Sequence, residues 1–256
     1  MKVLTIFVTV MTTAQNIAQQ IECIPEDSTF GYVDLNITKE KFLTAAKAIE
    51  RLLKAGKIKK ISKGKFYKPK MTVFGELKPS ETELLKPYLF QNGKRIAYVT
   101  GNYLYNKLGL TRQITTKLNI ASRSKRIFIN AGTLKASAVK SYAEVTEDNY
   151  QLLGFLDAIK DFKIIPDLNT KVAIEILSNT IENLSKQKLK MLVKYALLYP
   201  ARVRALLGAI IENNNNTNQS DRNGIKPLIE SLNPLSKYKL LISKKDLPTI
   251  ANWNIV

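Results

Sequence analysis

Eight lysines and no acid fall in KAGKIKKISKGKFYKPK, residues 54–70. Ammonium groups at that density are suited to binding phosphate, because each contact releases counterions held by a polyanion. A basic run ordinarily marks a solvated face or a flexible tail. Here, however, Ile58, Ile61, Phe66 and Tyr67 are threaded through it, and disordered tails are poor in β-branched and aromatic residues. The spacing therefore predicts two short strands joined by a tight turn at Lys63-Gly64-Lys65, with lysines displayed around the tip.

Other residues suited to chemistry are few. The chain has one cysteine, Cys23, and no histidine. A disulfide within the chain, a Cys/His zinc site and imidazole acid–base chemistry are thereby excluded. Asp157 and Asp161 stand one turn apart on a predicted helix. Such a pair can hold a metal or exchange protons, but its commoner use is an ion pair with a nearby Lys or Arg, and that structural reading is preferred. No phosphate-binding glycine loop is present. A two-metal nuclease needs clustered carboxylates, yet residues 84–143, where a β-rich nuclease core would lie, contain eleven bases and no acid. No catalytic residue, metal or cofactor is expected. Within that segment Arg112, Arg123, Lys125 and Arg126 form a second candidate basic patch, for DNA, RNA or an acidic protein partner.

These residues must be positioned by a folded body. The 256 residues are 45% apolar, enough for a core, and carry a net charge of +19 with a pI near 9.8. That balance favours a polyanionic partner. The opening MKVLTIFVTVMTTAQ has an apolar run at 3–10 that is too short to span a bilayer and lacks a signal-cleavage pattern. It reads as an upstream extension, and a cytoplasmic protein with no membrane partner is expected.

Apolar spacing predicts a helix over 12–24, then a short second helix anchored by Phe30, Val33 and Leu35. A third helix over 38–55 has Thr38 at its start and Gly56 at its end. Its core face is Phe42, Ala45, Ile49, Leu52 and Leu53, and its outer face Glu40, Thr44, Lys47, Arg51 and Lys54. Three helices followed by a basic hairpin form the order of a winged helix–turn–helix, expected over 12–70. Thr44, Lys47 and Arg51 are then placed to meet base edges, and Lys54, Lys57, Lys59, Lys60, Lys63 and Lys65 to meet phosphates. A second domain is expected over 74–256. Its first part is a helix at 79–92, a strand at 95–100, a helix at 102–108 and strands near 113–121, 125–130 and 133–140. From Thr146 onward four helices follow, broken at Pro166 and Pro200. An asparagine-rich loop at 213–221 precedes a tail whose Leu240, Leu241, Ile242, Ile250, Trp253 and Ile255 pack on the body. The class is α+β.

LLKAGKIKKISKGKFYKPK, FGELKPSETELLK, YVTGNYLYNKLGLT, LLGFLDAIKDFKIIPD and LLYPARVRALLGAII together resemble the bacterial AbiEi-like antitoxins, over about residues 12–212. The resemblance implies a DNA-binding antitoxin that represses its own type IV toxin–antitoxin operon from double-stranded promoter DNA. It also implies a nucleotidyltransferase-type toxin, neutralised directly or through its nucleic-acid substrate by the part after the wing. The run at 3–10 and the asparagine-rich insert depart from the family pattern. An RNA-binding winged-helix module and a metal-dependent nuclease are the alternative functions.

Overall fold

The computed structural model describes residues 11–131, 134–214 and 219–256, with backbone alone for 219–223. The apolar run at 3–10 and the centre of the asparagine-rich stretch, 215–218, lie outside the described residues. The chain divides after Gly93 into two units, each with its own apolar core. The division therefore falls later than the boundary expected at 70–74.

In the first unit α1 (Thr13–Cys23) starts at a capping box, Thr12 and Gln15 each satisfying the other's end of the turn. Ile17 and Ile21 carry its buried stripe. Strand β1 (Thr29–Gly31) follows. A 3-10 turn, Tyr32–Asp34, stands where a short second helix was expected, and another, Lys39–Lys41, takes the first turn of the expected third helix. The Asp34 carboxylate accepts from Gly31 N–H at 2.7 Å, a local bond that competes with helix formation. Phe30 and Leu35 are buried as anchors, while Val33 faces solvent.

Helix α2 (Phe42–Lys54) is shorter at its start than expected, and buries Ala45, Ala48 and Ile49. It stops in a Schellman motif: Gly56 N–H donates to Leu53 O and Lys57 N–H to Leu52 O, both at 3.1 Å. Gly56 takes φ +72°, a conformation that a Cβ would strain. Fully buried Ile58 then directs the chain into β2 (Lys59–Ser62) and β3 (Lys65–Tyr67). The three strands form an antiparallel sheet in the order β1-β3-β2, with Phe30 opposite Phe66.

A second hairpin follows, β4 (Lys70–Thr72) and β5 (Gly75–Leu77). Ser80 then caps α3 (Glu81–Leu89), which leads into the two-residue strand β6 (Phe90–Gln91). Helix α3 belongs to this unit because Thr29 Oγ1 donates to Glu83 O at 2.9 Å, and the Ser62 and Tyr88 hydroxyls meet at 2.7 Å.

The second unit begins with β7 (Lys94–Arg95) and β8 (Ala97–Thr100), then α4 (Asn102–Lys107). Strands β9 (Lys117–Ser122), β10 (Ile129–Ala131) and β11 (Leu134–Lys140) complete a sheet ordered β10-β11-β9-β8. Its central pair, β9 and β11, is parallel, and the outer pairs are antiparallel. Among the described residues five α-helices follow: α5 (Tyr150–Asp161), α6 (Thr170–Glu182), α7 (Lys186–Ala196), α8 (Ala201–Asn214) and α9 (Gln219–Glu230). Both flanks of the expected asparagine-rich loop are thus helical. Helix α5 is buried on every side from Leu152 to Ile159, as the central helix of a core must be.

In the tail Leu240, Ile242, Ile250, Trp253 and Ile255 are buried. Leu241, expected inward, has φ +58° and points to solvent. Trp253 is fully buried against α8, where a Cβ on Gly208 would lie 2.1 Å from the indole ring. Its Nε1–H donates to Glu212 Oε2 at 2.7 Å. The class is α+β, and no helix among the described residues is long and apolar enough to cross a membrane.

Candidate nucleic-acid interface

In the first unit α2 turns Thr44, Lys47, Arg51 and Lys54 to solvent, together with Leu43 and Glu50. Lys54 is engaged by Glu50 one turn away at 3.3 Å. Lys47 and Arg51 make no ion pair among the described residues. The hairpin lysines divide in the same way. Lys57, Lys60 and Lys63 are exposed and make no ion pair among the described residues, whereas Lys59 pairs with Glu76 of β5 at 3.3 Å. Lys65, expected at the tip, is half-buried instead. Its ammonium donates to the Pro87 carbonyl of α3 and lies 4.4 Å from the Tyr88 ring centroid. Gly64 supplies the turn at φ +72°.

Beside the hairpin, Tyr67 donates its phenol to Glu76 Oε1 at 2.9 Å. Burial, reinforced by that carboxylate, pushes the phenol up to about 12. The same hydrogen bond, with Lys59, holds the Glu76 carboxyl below the usual carboxylate range. Glu76 therefore ties the second hairpin to the first. At the far end of that second hairpin Val73 and Phe74 are 94% and 98% exposed, an unusual pair for a turn, where small polar residues are the norm.

In the second unit the parallel strands β9 and β11 end side by side, with Lys140 in register with Ser122. The chain leaves β9 through Arg123-Ser124-Lys125-Arg126, and these residues form one wall of a cleft of about 670 Å³. Ser122, Phe128, Ala138, Val139 and Lys140 supply the rest of the lining. The carboxyl ends of parallel strands are where open sheets commonly receive ligands. The cleft lining contains no acid, and Arg123, Lys125, Arg126 and Lys140 make no ion pair among the described residues. Ser122, itself buried, donates its hydroxyl to Ile96 O at 2.7 Å and fixes the base of the loop. Arg112 is exposed but does not line the cleft.

Phe128 and Lys140 belong to this site and were not singled out from sequence. Ile127-Phe128-Ile129 reads as three core residues, but only the isoleucines are buried, and the Phe128 ring is 68% exposed. Strict alternation along the chain is the one signal that would have placed the ring outside.

Asp157 and Asp161 lie on α5 and do not line the basic cleft. Asp157 is buried and accepts from the Tyr98 and Thr100 hydroxyls at 2.8 Å each, and from Lys160 at 3.2 Å. Asp161 accepts from Tyr105 at 2.6 Å. Burial pushes the Tyr98, Tyr105 and Tyr199 phenols well above their ordinary value. These tyrosines stay protonated and act as donors that tie α5 to β8 through Tyr98, to α4 through Tyr105 and to the turn before α8 through Tyr199.

No family model matches the chain, and no curated protein matches it. Among solved structures it is similar to the RV2827C protein from Mycobacterium tuberculosis, at 12% identity and a TM-score of 0.46, over 89% of this chain and 84% of that one.

Proposed function

We propose that residues 12–70 act as a winged helix–turn–helix that binds double-stranded promoter DNA. In this reading α2 enters the major groove, with Thr44, Lys47 and Arg51 toward base edges, and the β2–β3 hairpin is the wing. The observation that carries the reading is a set of cations on adjoining elements with no ion pair among the described residues: Lys47 and Arg51 on α2, then Lys57, Lys60 and Lys63 on the segment after it. Display of this kind is what phosphate contact requires. The order helix, strand, helix, hairpin, with sheet order β1-β3-β2, supports it further.

The resemblance to AbiEi-like antitoxins extends the proposal. The chain is an autorepressor of a type IV toxin–antitoxin operon, and its second unit neutralises a nucleotidyltransferase-type toxin. The field of the basic cleft suits either an acidic toxin surface or the nucleic acid that the toxin modifies.

The test uses the full chain, a duplex from its own upstream region and a scrambled duplex. Arg51→Ala costs about 1–3 kcal/mol on the upstream duplex if the guanidinium makes a bidentate base contact, and less on the scrambled one. Equal losses reduce Arg51 to a phosphate contact, and preference for structured RNA replaces the duplex reading with the RNA-binding one. For the antitoxin reading, residues 94–256 alone rescue cells expressing the neighbouring toxin without repressing the promoter. A folded 94–256 fragment that gives no rescue removes neutralisation from the second unit.

A further inference from the structure

We propose that the cleft at the carboxyl ends of β9 and β11 binds single-stranded nucleic acid, with one base stacked on Phe128 and the flanking phosphates held by Arg123, Lys125, Arg126 and Lys140. This site is separate from the duplex surface of the first unit and does not depend on that reading.

Four features of the cleft select this ligand. The first is its charge: four cations, no acid in the lining, and no ion pair at any of the four among the described residues. Two of the four are arginines, whose planar fork matches phosphate oxygens. The second is the aromatic ring. Phe128 is 68% exposed, yet its neighbours Ile127 and Ile129 are 7% and 4% exposed, so the ring is presented to solvent from a backbone anchored on both sides. An exposed ring among cations offers a stacking face, which is how proteins hold unpaired bases.

The third feature is shape. A volume of about 670 Å³ falls within the range of small-ligand pockets and gives room for a splayed base, whereas a duplex keeps its base faces stacked and out of reach. The fourth is rigidity. The loop springs from the parallel pair, closed by Ser141 N–H donating to Ser122 O at 3.0 Å and by the Ser122 hydroxyl on Ile96 O. An acidic peptide would satisfy the cations but gives the flat ring face no counterpart. Single-stranded nucleic acid satisfies both.

RNA and DNA strands share this chemistry, and the experiment separates them. Fluorescence anisotropy is measured with the full chain and end-labelled oligonucleotides of mixed sequence: single-stranded RNA, single-stranded DNA, and a duplex of equal length. The single strands bind a Lys47→Ala/Arg51→Ala protein as tightly as the unsubstituted one. Phe128→Ala weakens them about tenfold or more, and Phe128→Trp restores binding, as stacking demands. Lys125→Ala/Arg126→Ala flattens the salt dependence of single-strand binding by roughly 0.7 for each phosphate released from the cleft and leaves duplex binding nearly unchanged. Tighter binding of the RNA strand assigns a ribose 2′-hydroxyl contact, and equal binding assigns base and phosphate alone. Circular dichroism verifies that each variant is folded. The proposal is overturned if single strands do not bind. It is equally overturned if Phe128→Ala binds them as the unsubstituted protein does, or if cleft substitutions weaken duplex and single strand by the same factor.

Discussion

The two basic surfaces are built on opposite plans. In the first unit cations stand on a helix and hairpin, and acids from the same unit hold two of them: Glu50 takes Lys54 and Glu76 takes Lys59. In the second unit cations line a concavity that contains no acid. A surface with part of its charge tied down keeps a few cations at defined positions, which suits a regular duplex. A concave one whose cations face no carboxylate suits a flexible strand that can fold into it. Lysine density along the sequence does not distinguish the two. The position of the carboxylates does.

The largest effect expected from breaking this comparison lies in the core of the second unit. Trp253→Ala removes a fully buried indole and its bond to Glu212, a change that costs about 3–5 kcal/mol. In calorimetry the second unit's transition drops while that of the first stays in place. A single transition that moves as one would show that the two cores do not unfold independently.

An intermediate effect sharpens the contrast between free and tied lysines. Replacing Lys57, Lys60 and Lys63 together by Ala flattens the slope of log K against log salt for duplex binding by about 0.9 for each phosphate that is no longer neutralised. Replacing Lys59 and Lys65, which already have protein partners, changes the slope less. Equal changes from the two sets would mean that the protein partners are exchanged for phosphate on binding.

The smallest effect concerns Tyr67 in the first unit. Its phenol is raised from 10 to about 12 in the folded chain, so the folded state holds the proton more tightly than the unfolded one. That contribution to stability is complete below about pH 10 and is lost as pH rises through about 12. Urea denaturation should show Tyr67→Phe losing less stability across this window than the unsubstituted protein. Lysine deprotonation is common to both and cancels in the difference.

Much of the second unit was legible because its helices are long and periodic. DNYQLLGFLDAIKDFK and ARVRALLGAIIE repeat apolar residues every three or four positions, and the observed α5 and α8 coincide with these two runs to within a few residues. The first hairpin was legible from the β-branched and aromatic residues threaded through its lysines and from the turn at Lys63-Gly64-Lys65, and the end of α2 from Gly56. The second hairpin was not, since its strands have three residues each and Val73-Phe74 at the tip violates the usual turn chemistry. The division after Gly93 was hidden for a different reason. Nothing local says that α3 bonds back to Thr29 and Ser62, residues far earlier in the chain. The same limit applies to the cleft: Arg123, Lys125 and Arg126 stood out as charge, but their meeting with Lys140 and Phe128 is set by strand register.

The close approach of Gly208 and Trp253 imposes an order on how this chain can change. A methyl group added at 208 while the indole remains would clash with ring carbons, so that first step damages the fold. Shrinking the indole first leaves a void, which is costly but can be filled, and a larger residue at 208 then restores packing. The two positions are epistatic, and the mutational path between their compatible pairs runs through 253 before 208.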